Sequence, residues 1–341
     1  MIPTKTAQRL AAVLAVPALL LVSACGSDDG GSDNSGGSGG EATTVVSGEL
    51  GAKPEIELDA DAEYPEEPRV TVITEGDGEE VSEGDYVRTD LVGVTASDDA
   101  EQINTWTDPT APAPGAEEGE DAEETEDAPR AQYVARVGED GMMPAAILDG
   151  VVGQSVGSRV LVEGQVGTII GPQVVQMGME EEDGIVLVID IVGASTTDPA
   201  GEVEGEQAEP AEGMPEVTFG DEGPEIAVPE GEDPPAERQE QVLIEGDGPE
   251  ITAGDGVVVQ YSGVKWEDGE LFDSSWQRGE GTAFQIGVGA VVQGWDEALT
   301  GKNVGDRVVV AIPPNEGYAA AEGHELQDST LVFVVDLLGV V

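Results

Sequence analysis

One stretch of this chain is written twice. Pro54-Glu55-Ile56 recurs as Pro224-Glu225-Ile226, and Glu75-Gly76-Asp77-Gly78 as Glu245-Gly246-Asp247-Gly248. Gly84-Asp85 recurs as Gly254-Asp255, and Gly93-Val94 as Gly263-Val264, at a constant offset of 245 − 75 = 170 positions. Further on, Val156-Gly157-Ser158-Arg159-Val160 matches Val304-Gly305-Asp306-Arg307-Val308 at 304 − 156 = 148, and Asp190-Ile191-Val192-Gly193 matches Asp336-Leu337-Leu338-Gly339 at 336 − 190 = 146. Two long copies specify two domains of one fold, not a solenoid, and a chain of 341 residues has room for both. The shrinking offset makes the first copy longer in its middle. The surplus falls on the Pro- and Glu-rich stretch at 108–129, expected to be an acidic insertion without a packed core. The expected boundaries are residues 51–195 for the first domain, 196–213 for an acidic linker and 214–341 for the second domain.

In the second copy Val257, Val259 and Tyr261 alternate along one strand face, as do Val308, Val310 and Ile312, and Leu331, Phe333 and Val335. Gly and Asp clusters between these runs point to antiparallel strands joined by turns. Residues 294–300 fit one short helix, with Trp295 and Leu299 on a shared face and Gly301 able to end it. The expected fold class is α+β: in each domain an antiparallel sheet wraps its apolar face around a short helix.

Residues 1–24 read as an export signal. Lys5 and Arg9 precede an apolar run over 10–22, broken only by Pro17 and too short for a comfortable membrane span. The run ends in Val22-Ser23-Ala24-Cys25-Gly26, which resembles the bacterial lipobox, whose thiol is acylated and whose chain is cut just before it. Cys25 is the sole cysteine, so no intrachain disulfide framework exists. The Gly/Ser-rich remainder of residues 25–50 is expected to be a flexible tether. The expected location is outside the cytoplasm, held to the cell membrane by lipid on Cys25.

The chain carries 72 acidic and 13 basic residues, a formal charge of −59. Such a charge repels phosphate backbones and argues against a nucleic-acid partner. The acidic runs lack the D-x-D-x-D-G spacing of a calcium loop, so a calcium-responsive role ranks last. His324 is the only histidine, which removes His-based metal sites and triads.

Five strings of the second copy occur in an order that resembles the FKBP-type peptidyl-prolyl cis-trans isomerases. They are Val259-Gln260-Tyr261-Ser262-Gly263, Glu270-Leu271-Phe272-Asp273-Ser274-Ser275, Val291-Val292-Gln293-Gly294-Trp295, Ile312-Pro313-Pro314 with Gly317-Tyr318, and Thr330-Leu331-Val332-Phe333. Each is weak alone; five in order within one domain length are strong. The resemblance implies two FKBP-like domains, the first degenerate. It implies a pocket with Trp295 as floor, Tyr261, Phe272 and Phe333 as aromatic walls, Val291 and Val292 at the entrance, and Asp273 and the Tyr318 hydroxyl as polar handles. It further implies proline-containing polypeptide clients, tacrolimus- or rapamycin-type ligands, and chemistry needing no cofactor or metal.

Three departures from the family pattern stand out. Thr282 occupies a position that is usually aromatic, Ala319 follows Tyr318 where Gly is usual, and Leu326-Gln327-Asp328 replaces an apolar-Pro-Pro stretch. In the first copy Leu91, Ile103, Ala135, Ile147 and Leu187 stand opposite Tyr261, Asp273, Phe284, Trp295 and Phe333, and no tyrosine lies between Gly164 and Asp183. The first copy is therefore expected to share the fold and to lack the pocket. Trp266 and Trp276 fall outside the signature and read as packing or rim residues. Two function classes remain. One is an isomerase acting on X-Pro bonds of exported proteins; the other is a non-catalytic peptide-binding, chaperone-like or scaffold lipoprotein.

Overall fold

Apolar residues at period two drive both halves of the chain into antiparallel sheets. The computed structural model describes residues 44–58, 62–97, 99–106, 129–139, 145–171, 180–220, 223–229 and 231–341. The expected signal segment, Cys25 and all of the acidic insertion except Pro129 lie outside the described residues. The first half runs through β1 (Val45–Ser47), β2 (Glu55–Glu57), β3 (Arg69–Thr74), β4 (Tyr86–Thr95), β5 (Glu101–Asn104), β6 (Tyr133–Arg136), α1 (Ala145–Asp149), β7 (Arg159–Gln165), α2 (Val166–Ile169) and β8 (Gly184–Ser195). The second half runs through β9 (Glu216–Gly220), β10 (Gly223–Ala227), β11 (Gln239–Ile244), β12 (Gly256–Lys265), β13 (Leu271–Ser274), α3 (Ser275–Arg278), β14 (Thr282–Gln285), α4 (Gln293–Leu299), β15 (Arg307–Ile312) and β16 (Leu331–Val340).

The two sheets have one topology. Strand order is β3-β7-β8-β4-β5 with β6 also on β4, and β11-β15-β16-β12-β13 with β14 also on β12. The registers repeat residue by residue. Gly93 faces Ile103 as Gly263 faces Asp273. Val87 faces Ala135 as Val257 faces Phe284. Gly93 faces Leu187 as Gly263 faces Phe333. The fold class is α+β.

The repeated Glu-Gly-Asp-Gly strings have a steric cause. A Cβ on Gly76 would lie 2.2 Å from the Val156 carbonyl oxygen, and one on Gly246 would lie 2.4 Å from the Gly305 carbonyl carbon. Two backbones cross at each place, and the Gly78 and Gly248 N–H groups donate to Val156 and Val304 at 3.0 Å. Only glycine fits such an approach.

Both faces of the central strands of each sheet are covered, whereas the edge strand β3 stays largely exposed. On the inner face, Leu91, Val160, Val162, Leu187 and Ile189 pack with Ile147 and Leu148 of α1 in one core. In the second half Val257, Val259, Val308, Val310, Leu331 and Val335 pack with Trp295, Ala298 and Leu299 of α4. The outer faces are capped by the β1–β2 and β9–β10 hairpins. Val46 and Ile56 pack on Leu161, Val186 and Val188, and Val217 and Ile226 join Val309, Ala311, Val332 and Val334. Strands buried on two faces read as near-continuous apolar runs, which explains strings such as Leu331-Val332-Phe333-Val334-Val335.

Under each hairpin sits a buried ion pair. Arg159 Nε and Nη2 donate to Asp190 at 2.6 and 2.7 Å, and Arg307 repeats both bonds to Asp336 at the same distances.

Two stretches expected to be tether and linker make ordered contacts. Strand β1 lies inside the stretch 25–50 expected to be tether, because Val46 finds an apolar seat on the first sheet. The acidic linker at 196–213 is not a free tether either. Val203 N–H donates to Asp336 at 3.0 Å, Ala208 N–H to the Leu243 carbonyl at 2.7 Å, and Gln241 Nε2 to the Glu209 carbonyl at 3.0 Å, so the segment is strapped along the second sheet. Its Glu202, Glu204, Glu206, Glu209 and Glu212 side chains face water, which is why composition alone made it a linker. Among the described residues no helix is long and apolar enough to cross a membrane.

Candidate functional site

The inner face of the second sheet gathers aromatic rings among its aliphatic chains. Tyr261 stands on β12, Phe272 on β13, Phe284 on β14 and Phe333 on β16; Trp295 is presented by α4. The Trp295 ring lies 5.4 Å from Tyr261, 5.2 Å from Phe333 and 5.5 Å from Phe284, each near perpendicular, and Phe272 meets Phe333 edge to face at 5.4 Å. Edge-to-face pairs contribute about 0.5–1.5 kcal/mol each beyond burial, so the box is rigid. Val291 and Val292 pack against the same core immediately before α4, and Tyr318 does so after the turn at Pro314–Glu316.

Two glycines make room for this box. A Cβ on Gly263 would lie 2.6 Å from Phe272 Cζ and 2.7 Å from Phe333 Cε1. A Cβ on Gly294 would lie 2.5 Å from Ile312 Cγ2, so glycine there lets α4 settle on β15. At Gly93, the counterpart of Gly263, the neighbours are Leu187 and Ile103, and the first sheet closes on aliphatic packing.

A polar cluster rims the box. The Tyr261 hydroxyl donates to the Asp273 carboxylate, and Arg278 Nη1 donates to the same group. Arg278 Nη2 also donates to the Tyr261 oxygen at 3.0 Å, and its guanidinium lies 5.4 Å from the Tyr261 ring centroid. Burial, then the hydrogen bond to Asp273, pushes the Tyr261 phenol up to about 12, so it is a proton donor at neutral pH. Burial, then the Asp273 charge, also raises the Tyr318 phenol. Among the described residues the Tyr318 hydroxyl has no hydrogen-bond partner; its ring stacks on His324 at 4.1 Å and 13°. The Trp295 indole N–H is buried and has no partner among the described residues.

All eight residues singled out from the sequence lie around this one box. Sequence reasoning missed Arg278, which helps fix Asp273 and Tyr261. The available signal was a lone cation within the short helix that opens after Asp273-Ser274, in a chain poor in basic residues. Ser274 caps that helix by accepting from Gln277 N–H at 3.3 Å, which turns Arg278 back toward Asp273.

The arrangement is an apolar aromatic cluster with a buried indole donor, and with phenol hydroxyls and one carboxylate at its edge. It can enclose a small ring and hold a carbonyl. Among the described residues no group of three or more His, Cys, Asp or Glu side chains could hold a metal ion.

A family profile described as FKBP-type peptidyl-prolyl cis-trans isomerase matches residues 248–338, which contain every residue of the box. The chain is 43% identical over 122 residues to an FK506-binding protein of Streptomyces anulatus, a match covering 35% of this chain and 98% of that one. It is 43% identical over 86 residues to a probable FK506-binding protein of Corynebacterium glutamicum, covering 25% of this chain and 71% of the relative. Among solved structures it is similar to FkpA from Escherichia coli, at 32% identity and a TM-score of 0.28 over 38% of this chain and 52% of that one.

Proposed function

Since the chain belongs to the FKBP-type peptidyl-prolyl cis-trans isomerase family and is an enzyme of that class, we propose that its second half carries the activity, on X-Pro bonds of exported or cell-envelope proteins. The carrying observation is the aromatic box around Trp295 with Asp273 and Tyr318 at its mouth.

A prolyl peptide bond resists rotation through amide resonance, with a barrier of about 18–20 kcal/mol. The planar, charge-separated form is favoured by water. In the proposed mechanism the proline ring seats against Trp295 between Tyr261, Phe272 and Phe333, which strips water from the amide and favours its twisted, less polar form. Tyr318 donates to a substrate carbonyl and orients the bond, while Asp273, fixed by Arg278 and Tyr261, sets the field at the mouth. No bond is made or broken, so no nucleophile is required. The first half, with Leu91, Ile103, Ile147 and Leu187 where the box would be, is assigned a positioning or client-holding role.

Relatives named for FK506 support a ligand of that type in the same slot. Adding FK506 to the full chain is expected to quench or shift the Trp295 emission saturably and to block isomerisation at the same concentrations. Emission and turnover both indifferent to FK506 at high micromolar concentration would sink the pocket assignment.

The site of action is proposed from the lipobox-like string before Cys25. Slow prolyl isomerisation limits folding, so an isomerase anchored where exported chains emerge has a clear use. Cys25→Ser is expected to leave an uncleaved precursor or release the protein from the membrane fraction. A Cys25→Ser protein that is still processed and lipid-labelled would refute the anchor.

A further inference from the structure

The two halves meet along β6 and β14, which lie side by side. Each pairs with a long strand of its own sheet, β4 or β12, and not with the other. The Gln285 side chain bridges them, accepting from Gln132 N–H at 2.6 Å and donating to the Arg130 carbonyl at 2.9 Å. Arg88 of the first half donates to the Gly254 carbonyl of the second at 2.7 Å. Tyr86, Val258 and Val341 form a small apolar cluster across the same junction.

Between the halves lies a cleft of about 340 Å³. Tyr86, Tyr133 and Ala135 line it from the first half, and Thr282, Ala283 and Phe284 from the second. We propose that this cleft is a second subsite for the polypeptide substrate, taking apolar residues that flank the X-Pro bond of an extended, unfolded chain. This deepens the isomerase reading and rests on it.

Three observations carry the proposal. The cleft adjoins the aromatic box, because Phe284 lines it and lies 5.5 Å from Trp295 and 6.3 Å from Tyr261. Thr282 and Ala283 line the cleft with small side chains, which leaves room beside Phe284. Tyr86, only 2% exposed, has a hydroxyl with no hydrogen-bond partner among the described residues. Burial pushes the Tyr86 phenol up to about 12, so it is a donor at neutral pH. A buried donor without an acceptor is costly, and a peptide carbonyl in the cleft would satisfy it. The rim charges are paired: Arg136 bonds to Glu139 and lies 3.7 Å from Glu280. The interior is mostly apolar, which suits an unfolded segment better than an ion.

The test uses the full chain with two substrates sharing one X-Pro core. One is a tetrapeptide; the other is a peptide of about 15 residues with apolar flanks, long enough at roughly 3.3 Å per residue to reach from the box into the cleft. The wild-type chain is expected to favour the long peptide in kcat/KM by about tenfold, the worth of 1.4 kcal/mol. Tyr86→Phe removes one oxygen, and Ala135→Leu fills the cleft from the first half. Both are expected to erase most of that preference while changing tetrapeptide turnover less than about twofold. A purely structural Tyr86 would leave the length preference untouched in Tyr86→Phe, and that result overturns the proposal, as does equal kcat/KM for both substrates in the wild type. A proline-free version of the long peptide, titrated calorimetrically, should bind the wild type and bind Tyr86→Phe several-fold more weakly. That arm reports on the cleft even if tetrapeptide turnover were absent, a failure that would strike the isomerase reading of the second half. Equal binding of the proline-free peptide to both proteins overturns the cleft assignment.

Discussion

Asp336→Ala is expected to unfold the second half at temperatures where the wild-type chain is intact. Asp336 is fully buried and accepts both donors of Arg307. It also accepts from Val203 N–H of the strapped linker. With Asp336 gone, Arg307 keeps a 3.3 Å bond to Gln207 and the face of Phe219, 3.7 Å from the guanidinium carbon. Breaking a buried pair from one side strands a charge and costs about 3–5 kcal/mol. For a domain of this size each kcal/mol moves Tm by about 3–5 °C. The matching change in the first half, Asp190→Ala, is expected to cost less. Arg159 retains three carbonyls there, Gly48, Glu49 and Ala52, at 3.0, 3.2 and 2.8 Å. Replacing both partners, Arg307→Met with Asp336→Leu, should be close to neutral, since no charge is left buried. A thermal melt followed by Trp emission separates the cases. Asp336→Ala and Asp190→Ala melting together near the wild-type temperature would show that the pair is not holding the hairpin and linker down.

The same elements show what the sequence could and could not reveal. Strands such as β12 and β16 were legible because their inward residues repeat at every second position and glycines punctuate them. The duplicated topology was legible because Gly76 and Gly246 sit at backbone crossings that no other residue tolerates, so both copies keep the same string. The hairpins β1–β2 and β9–β10 were not legible. They are three to five residues long, show no usable periodicity, and exist because they cap an outer sheet face. Their only trace was the repeated Pro-Glu-Ile. The linker misled for the opposite reason: acidic side chains on its wet side hid the inward contacts of Val203 and Gln207. The aromatic set of the box was legible from its ordered strings, whereas Arg278 was not, because its role depends on a four-residue helix turning it back. The cleft between the halves depends on how two sheets meet, which no local pattern encodes.

The proposed place of isomerisation is the second-half box, with separate proposed tasks for its two polar handles. Asp273 holds the Tyr261 hydroxyl and Arg278 at the mouth; the Tyr318 hydroxyl is free to meet a substrate carbonyl. Losing a hydrogen bond to a charged group costs about 1.5–3 kcal/mol and a neutral one about 0.5–1.5. Together they amount to roughly 3 kcal/mol, on the order of a hundredfold in rate. Neither handle is deeply buried: the Asp273 side chain is 40% exposed. Asp273→Ala with Tyr318→Phe should therefore leave the Trp295 ring contacts and the melt close to wild type. The most direct measurement is X-Pro isomerisation by the full chain beside this double variant. The account predicts that kcat/KM falls by about two orders of magnitude, with the aliphatic core of the first half supplying no second activity to mask the loss. A folded double variant that isomerises at the wild-type rate would contradict it.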